Sequence, residues 1–544
     1  MRRRTLIAVF SGLVTAVGAG SASATSVLIV NGRGWGHGVG MSQWGAEGYA
    51  QHGWGWRRIL EHYYPGTQLA ATPQSRVRVL LAAAQRRADI ACAGALAVSD
   101  ASGRSYRLPT GSYRIGPRLE LPVGHKRVRL RTAHRHEVSS HMLVVPRSLR
   151  SPVVFDCPTA PLTWNGRAYH GRLVVRRTGR RVSVVNSVAL DDYVRGVVGG
   201  EMPQRWRIDA LAAQAVAARS YALATLKPSR RFDLFSDTRS QVYGGIGYET
   251  ARTNEAVART AGRVLTWNGH VASTFFFSTS GGRTADVAEV WPKIGDVPYL
   301  RSVADPYDVR SPRHAWGPVV VGATRVAAIF GAALDSVHVE RTSSGHAATV
   351  VLGRRRIDAD EFRKQLGLAS TVFTLGELSL DRMRAQVTWG GAVQLVARAY
   401  DVGGARLQRR VGAGSWKTLK FVRGQARVKV EPQAHTLYRL SAAGVTGPVV
   451  GVTVAPQLRA TPVAAQVLSG TVRPLSHGTI TVARRVASGW RVVAHPKLDA
   501  HGVFHAPLLL RPGAYRVSVA GDGRFAAATA EVQVTTRLLA SLHG

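Results

Sequence analysis

The run Leu190-Asp191-Asp192-Tyr193-Val194-Arg195-Gly196-Val197-Val198-Gly199-Gly200-Glu201-Met202-Pro203 contains the carboxylate best placed for acid–base work. Glu201 follows two glycines and precedes Met-Pro, a pattern that predicts a helix end and sets the carboxylate at a bend. Its sequence neighbours Val197, Val198, Met202 and Trp206 are apolar. Apolar surroundings disfavour the charged form and raise a carboxyl pKa, as a general acid working near neutral pH requires. A cation such as Arg219 would pull the other way, and the plain alternative is a surface or helix-end carboxylate. Along one unbroken helix Glu201 and Arg219 would stand about 27 Å apart. Their meeting therefore requires a reversal near Pro203–Ile208.

A second segment, Gly32-Arg33-Gly34-Trp35-Gly36-His37-Gly38-Val39-Gly40-Met41-Ser42-Gln43, places glycine at every second position. In an extended chain successive side chains alternate faces, so one face is bare backbone and the other carries Arg33, Trp35, His37 and Val39. A cation, an indole and an imidazole on one face suit a sugar. The competing reading is a glycine-rich packing loop, because a bare face also admits another backbone. The Lys-Ser/Thr ending of a phosphate-binding loop is absent.

The elements that must position these residues follow from texture. At 544 residues the chain predicts two to four domains. Residues 75–185 read as short β segments, such as Arg76-Val77-Arg78-Val79-Leu80-Leu81 and Arg172-Leu173-Val174-Val175. The span 189–226 is the most helical, with the Ala-rich run after Asp209, a cap or first-turn residue. Mixed strands and helices continue to about 375. Beyond 385 strand-like runs recur with no long helical pattern. Gly414-Ser415-Trp416 and Ser488-Gly489-Trp490 each precede a β run, and each passage ends on a Tyr-Arg strand. The expected fold is an α+β catalytic domain over 25–375, then two immunoglobulin-like β-sandwiches at 380–456 and 457–540. The sandwiches read as spacers or adhesion modules rather than catalysts.

Composition sets the compartment. Apolar residues are 45% and charged residues 19%, which excludes a wholly disordered chain. The 72 basic residues, 64 of them Arg, against 32 acidic ones give a net charge of +40, so the chain will adhere to polyanions. Arg2, Arg3 and Arg4, the apolar stretch Leu6 to Val17 and Ala22-Ser23-Ala24 form a secretory leader cleaved after Ala24. The alternative, an uncleaved anchor, is disfavoured by a short run broken at Ser11, Gly12 and Gly18. Losing those three arginines leaves +37. Export and the lack of any nucleic-acid-binding signature argue against a nucleic acid partner. Cys92 and Cys157, an even number in an oxidising compartment, predict one structural disulfide. No zinc is expected, since metal ligands do not cluster at short spacing.

Three groups of motifs then become specific. They are Leu190 through Pro203 with Ala210-Leu211-Ala212-Ala213-Gln214-Ala215-Val216-Ala217-Ala218-Arg219-Ser220-Tyr221; Ser278-Thr279-Ser280-Gly281-Gly282-Arg283-Thr284 with Val290-Trp291 and Pro298-Tyr299-Leu300; and Gly36 through Ala46 with Ile59 through Thr67. Together they resemble the SpoIID/LytB family over about 350 residues. The order differs from the family's usual one. There the Gly-His-Gly segment closes the domain, after a stretch like Phe362-Arg363 and Leu366-Gly367-Leu368; here it opens the mature chain. This looks like a circular permutation, which is tolerated where termini lie close together. It predicts that residues 26–70 pack beside 350–375. The Cys/His metal cluster of some members is also missing.

The resemblance implies peptidoglycan as the substrate. Sporulation members are lytic transglycosylases that cut peptide-free glycan strands between N-acetylmuramic acid and N-acetylglucosamine, leaving a 1,6-anhydro end. It implies Glu201 as catalytic acid/base and Arg219 as an essential arginine, holding a lactyl carboxylate or an amide carbonyl. His37, Ser42, Gln43, Gln214, Tyr221, Ser280, Gly281 and Gly282 are implied as sugar contacts or their supports. A single carboxylate suffices for this chemistry. Hydrolysis generally pairs two carboxyl groups, whereas here the sugar's own C6 hydroxyl attacks, and one glutamic acid gives a proton and then takes one. No cofactor is implied. Further implied partners are anionic wall polymers and, from the family's amidase-modifier branch, a cell-wall amidase. That branch supplies the alternative: a non-catalytic wall-binding protein that stimulates an N-acetylmuramoyl-L-alanine amidase. A hydrolase leaving a reducing end is the third reading.

Overall fold

The computed structural model describes residues 25–72, 75–131, 138–226, 230–334 and 336–542. The leader expected over 1–24 lies outside the described residues. The molecule is β-rich and multidomain, with few helices beside the ten sheets of the described residues.

The first described strand, Thr25–Arg33, is β-branched and apolar at its centre and has no free edge. It pairs antiparallel with Ala315–Gly322 on one side and with Val372–Arg382 on the other. The sheet continues through Val393–Tyr400 and Gly424–Val430. Alternation divides its side chains between two cores. Leu28 and Val30 join Phe330, Phe362, Phe373 and Leu375. Ile29 points the other way, with Leu378, Leu380, Leu395, Tyr438 and Leu440, under a second sheet that contains Val445–Ala455, Thr436–Ala442 and Ala405–Val411. The domain boundary expected between 375 and 380 therefore falls inside one continuous strand. Strand pairing of residues 25–33 with 372–382 supplies the adjacency that a permuted chain requires.

The central unit is built around helix Ile208–Ala224, whose Ala-rich sequence leaves it buried on nearly every side. Small side chains let helices Gln43–Gln51, Trp56–Tyr63, Leu190–Glu201 and Ala251–Arg259 all pack against it or its neighbours. Asp209 sits in its first turn, and its carboxylate accepts from Trp56 N, so it caps the start of the neighbouring helix rather than its own. A seven-stranded sheet, in which Arg181–Ala189 runs directly into helix Leu190–Glu201, supports this cluster. The last unit packs a three-stranded sheet and a four-stranded sheet over Leu468, Val482, Phe504, Tyr515 and Val517. No helix among the described residues is long and apolar enough to cross a membrane.

Cys92 and Cys157 are bonded, with Cα atoms 6.2 Å apart and a sequence separation of 65. Closing a loop of that length removes unfolded-state freedom worth about 4 kcal/mol. Replacing both cysteines with serine should lower the urea-unfolding free energy by about that amount, and a loss below a quarter of it would locate little of the stability in the cross-link.

Candidate active site

Glu201 is the last residue of helix Leu190–Glu201, followed by Met202 in an extended conformation. The chain restarts as helix at Ile208, so the reversal required by the sequence is present. One carboxylate oxygen accepts from the backbone N–H of Val242 at 2.8 Å, and the other from the side-chain amide of Gln43 at 3.1 Å. Burial raises its pKa above the ordinary glutamate value, against the lowering effect of those two hydrogen bonds. The cation that could have reversed this shift is engaged elsewhere. Burial favours the protonated acid and the two donors favour the anion, so the site can hold both forms that an acid–base cycle alternates.

A polar network fixes the donor from residue 242. Tyr193, on the Glu201 helix, donates to the Gln241 side-chain oxygen at 2.7 Å, and the Gln241 side-chain amide donates to the Ala218 backbone carbonyl on the Ala-rich helix. Tyr243 donates to Asn186 at 2.6 Å. The segment 241–243 is thus tied to both helices and to the sheet, and Val242 N–H is aimed by its neighbours. Arg219 lies in this interior rather than in the site. Its Nε donates to Asp191 at 2.7 Å and its Nη1 to the Arg263 carbonyl at 2.9 Å, and none of its side-chain surface is exposed. A guanidinium with no accessible surface has no route to a lactyl carboxylate, so the sugar contact expected of it is replaced by a positioning role.

The glycine-rich segment resolves in favour of close packing. Gly34, Gly36, Gly38 and Gly40 all adopt positive φ, so the run is not an extended strand with one sugar-facing side. Trp35 is half exposed while Val39 is fully buried. A side chain on Gly40 would meet the Phe275 carbonyl oxygen at 2.0 Å, at φ +77°. Backbone contact and strain both forbid it. Gly40→Ala should therefore displace the segment that delivers Gln43, costing at least about 2 kcal/mol. A melting curve and activity unchanged from wild type would refute that.

His37 is held neutral. Its Nδ1 accepts from Val39 N, its Nε2 donates to the Phe276 carbonyl, and burial lowers its pKa to about 4. Its ring lies against Phe277 and Trp291 in a cavity of about 330 Å³ that also takes in His346, Glu289 and Arg363. With both nitrogens engaged it is unsuited to proton transfer. Ser42 is buried and caps helix Gln43–Gln51, accepting from Gly45 N. Ser280 donates to the buried Asp308, and Gly281 N donates to the same carboxylate oxygen. Gly281 backs onto Arg33 and Gly34, and Gly282 N donates to Ser280. Ser42, Ser280 and Gly281 brace the loop rather than face solvent, while the α-carbon of Gly282 opens outward. Gln214 is fully buried, with no hydrogen-bond partner for either amide atom among the described residues. Tyr221 is partly exposed, packs on Phe275 and Phe276, and shares a hydrogen bond with Ser240.

Of the implied contacts, then, Gln43 reaches Glu201 directly, while Tyr221 packs on Phe275 and Phe276. Three features escaped sequence reading. Val242 contributes only its backbone, which no residue type announces. Asp191, paired with Arg219, looks like a helix-start carboxylate. Tyr248 is exposed, and its ring covers Gly200, where an added side chain would come within 2.5 Å of it. The Gly199-Gly200 pair before Glu201 was the available signal that an aromatic ring packs there.

Residues 178–267, which span the Glu201 helix, the Ala-rich helix and Val242, match the family model described as stage II sporulation protein, SpoIID. The geometry therefore belongs to a SpoIID domain set in a larger β-rich chain. Over 211 residues the sequence is 32% identical to stage II sporulation protein D of Bacillus subtilis (strain 168), covering 35% of this chain and 61% of that protein. The Bacillus amyloliquefaciens protein of the same name is 31% identical, with 35% and 60% covered. The amidase enhancer of Bacillus subtilis (strain 168) is 37% identical over 123 residues, 23% of this chain and 16% of that one. The chain is thus similar to proteins of the SpoIID/LytB family, and it spans about three-fifths of the length of the sporulation relatives. Among solved structures, the human OSCAR ligand-binding domain aligns with 28% of this chain and 96% of its own, at 20% identity and a TM-score of 0.14.

Proposed function

We propose that this chain is a secreted, wall-associated lytic transglycosylase that cleaves peptide-free peptidoglycan strands, with Glu201 as both general acid and general base. The observation that carries the reading is the state of that carboxyl group: largely buried, raised in pKa, and held by one backbone and one amide donor. Protonated, it delivers its proton to the glycosidic oxygen as the bond to the anomeric carbon breaks. As the anion, stabilised by Val242 N–H and Gln43, it takes the proton of the C6 hydroxyl as that oxygen closes the 1,6-anhydro ring. The proton count balances, and no water is consumed. Tyr248 and Trp44, partly exposed beside the carboxylate's supports, are suited to stack on sugar rings. The C-terminal sheets fit immunoglobulin-like modules that hold the enzyme in an anionic wall.

The second reading rests on the likeness to the amidase enhancer. In it the same cleft binds glycan without cutting it and stimulates a separate amidase. Mass spectrometry of products from residues 25–544 on peptide-free strands separates these. Anhydro-muramyl ends support the transglycosylase, products 18 Da heavier mean hydrolysis, and intact, bound strands favour the amidase-stimulating role. The whole chain is required, because ending it at 375 would sever the strand Val372–Arg382 and uncover two cores.

A further inference from the structure

The two C-terminal units carry the same side-chain cluster at the same register. In the first, Arg409 lies opposite Tyr438 and Gln408 opposite Arg439. In the second, Arg484 lies opposite Tyr515 and Ala483 opposite Arg516. Tyr438 and Tyr515 point into their cores. One residue along, and so on the outer face, Arg410 and Arg439 stand 4.9 and 4.2 Å from the centroid of the Trp416 ring. Arg485 and Arg516 stand 5.8 and 4.1 Å from the centroid of Trp490. Each indole thus gathers two guanidinium groups from neighbouring strands.

Two like charges beside one ring repel each other, a cost that the cation–π contacts offset in part and a bound anion would relieve further. Among the described residues neither Arg410 nor Arg485 has an acidic partner, and Arg410 Nε has no hydrogen-bond acceptor. Arg439 donates to Gln408, and Arg516 pairs with Glu531. The indole also limits the freedom of the arginines, so that less entropy is lost when their planar forks close on an anion. Phosphate oxygens match such forks in a bidentate manner.

We infer that Trp416 with Arg410 and Arg439, and Trp490 with Arg485 and Arg516, are two copies of one subsite for a linear phosphodiester-linked polyol chain, engaged in tandem. Two weak subsites on one chain raise affinity by making the second contact intramolecular. The inference concerns surfaces remote in sequence from Glu201 and does not require that cleavage occur. Its choice of a wall polyol over other phosphate polymers rests on the extracytoplasmic reading.

The test measures binding of residues 25–544 to poly(glycerol phosphate), with charge-matched polyglutamate and single-stranded DNA as comparison polymers. Trp416→Ala and Trp490→Ala should each weaken poly(glycerol phosphate) binding by about 3- to 10-fold, and together by about 10- to 100-fold, with every charge retained. Arg104→Gln with Arg107→Gln, which removes two exposed charges elsewhere, should change it less than about twofold. If the tryptophan variants lose their cooperative urea transition, Arg410→Gln with Arg485→Gln carries the same expectation. Unchanged binding by a folded double variant overturns the subsite. So does equal affinity for polyglutamate, or tighter binding of single-stranded DNA. Glu201→Gln should bind the polymer as wild type does, so failure of the cleavage reading and failure of this one are separately visible.

Discussion

Glu201→Gln is expected to abolish release of anhydro-ended fragments, lowering the cleavage rate by about 10³-fold or more, while leaving glycan binding intact. The substitution removes one proton and little else. Glutamine keeps an acceptor for Val242 N–H, and the Gln43 amide can turn to accept from the new NH₂ group. Stability gives a second readout of opposite sign. A carboxyl whose native pKa lies above its unfolded value binds more protons when folded, so its contribution falls as pH rises through the interval between the two. Wild type should therefore melt no higher than Glu201→Gln at pH 7, and any advantage of the variant should shrink below the ordinary carboxylate range. Cleavage should fall with rising pH along a limb displaced above that range, because the proton donor must be protonated. Gln43→Leu removes one of the two groups that stabilise the anion, and should move the limb higher still. Full activity in Glu201→Gln would remove the general acid from the mechanism altogether.

Arg219→Met should be the most destabilising single change in the central unit, at about 3–5 kcal/mol. The guanidinium is enclosed by the Ala-rich helix, Asp191 and the Arg263 carbonyl, and its loss leaves a carboxylate and a carbonyl without their donor. Asp191 is partly exposed and can recover water, so Asp191→Asn should cost less than loss of the arginine. Activity would disappear at the temperature where the variant unfolds. Below that temperature, activity per folded molecule should stay within a few-fold of wild type. A variant that melts like wild type but does not cleave would instead give Arg219 a substrate contact that its burial denies it.

These two residues show what the sequence could and could not tell. The helix end at Glu201, the reversal before Ile208 and the helical span to 226 were written in local signals: paired glycines, Met-Pro, and a run of alanines. The direction of the Glu201 shift was not, because it depended on whether Arg219 came close, and residue spacing does not carry that distance. The partner of Arg219 was in plain view as Asp191, yet only the folding back of one helix on the other joins them. The glycine run misled in a different way. Period-two glycine reads as a strand face when φ is assumed negative, and the observed left-handed positions turn the same spacing into a tightly packed loop. Domain limits suffered from a shared element. Composition changes near 380, but the strand Val372–Arg382 serves both sides of the change, and the alternation of its side chains, not any linker, marks the transition.

That shared strand also governs the order in which the molecule can assemble. Asn31 and Thr374 bond across 343 positions, and Arg33 and Ser370 across 337. The strand Thr25–Arg33, first of the described residues, thus waits for more than half of the chain before its first neighbour, Ala315–Gly322, exists to pair with it, and longer still for the second, Val372–Arg382. Such distant closure is slow, since loop entropy is lost before any contact returns it. A polypeptide emerging from its N-terminal end would therefore keep this sheet open until a late zipper shuts. That delay also leaves an apolar, β-prone ribbon in need of a holdase until the closing strand arrives.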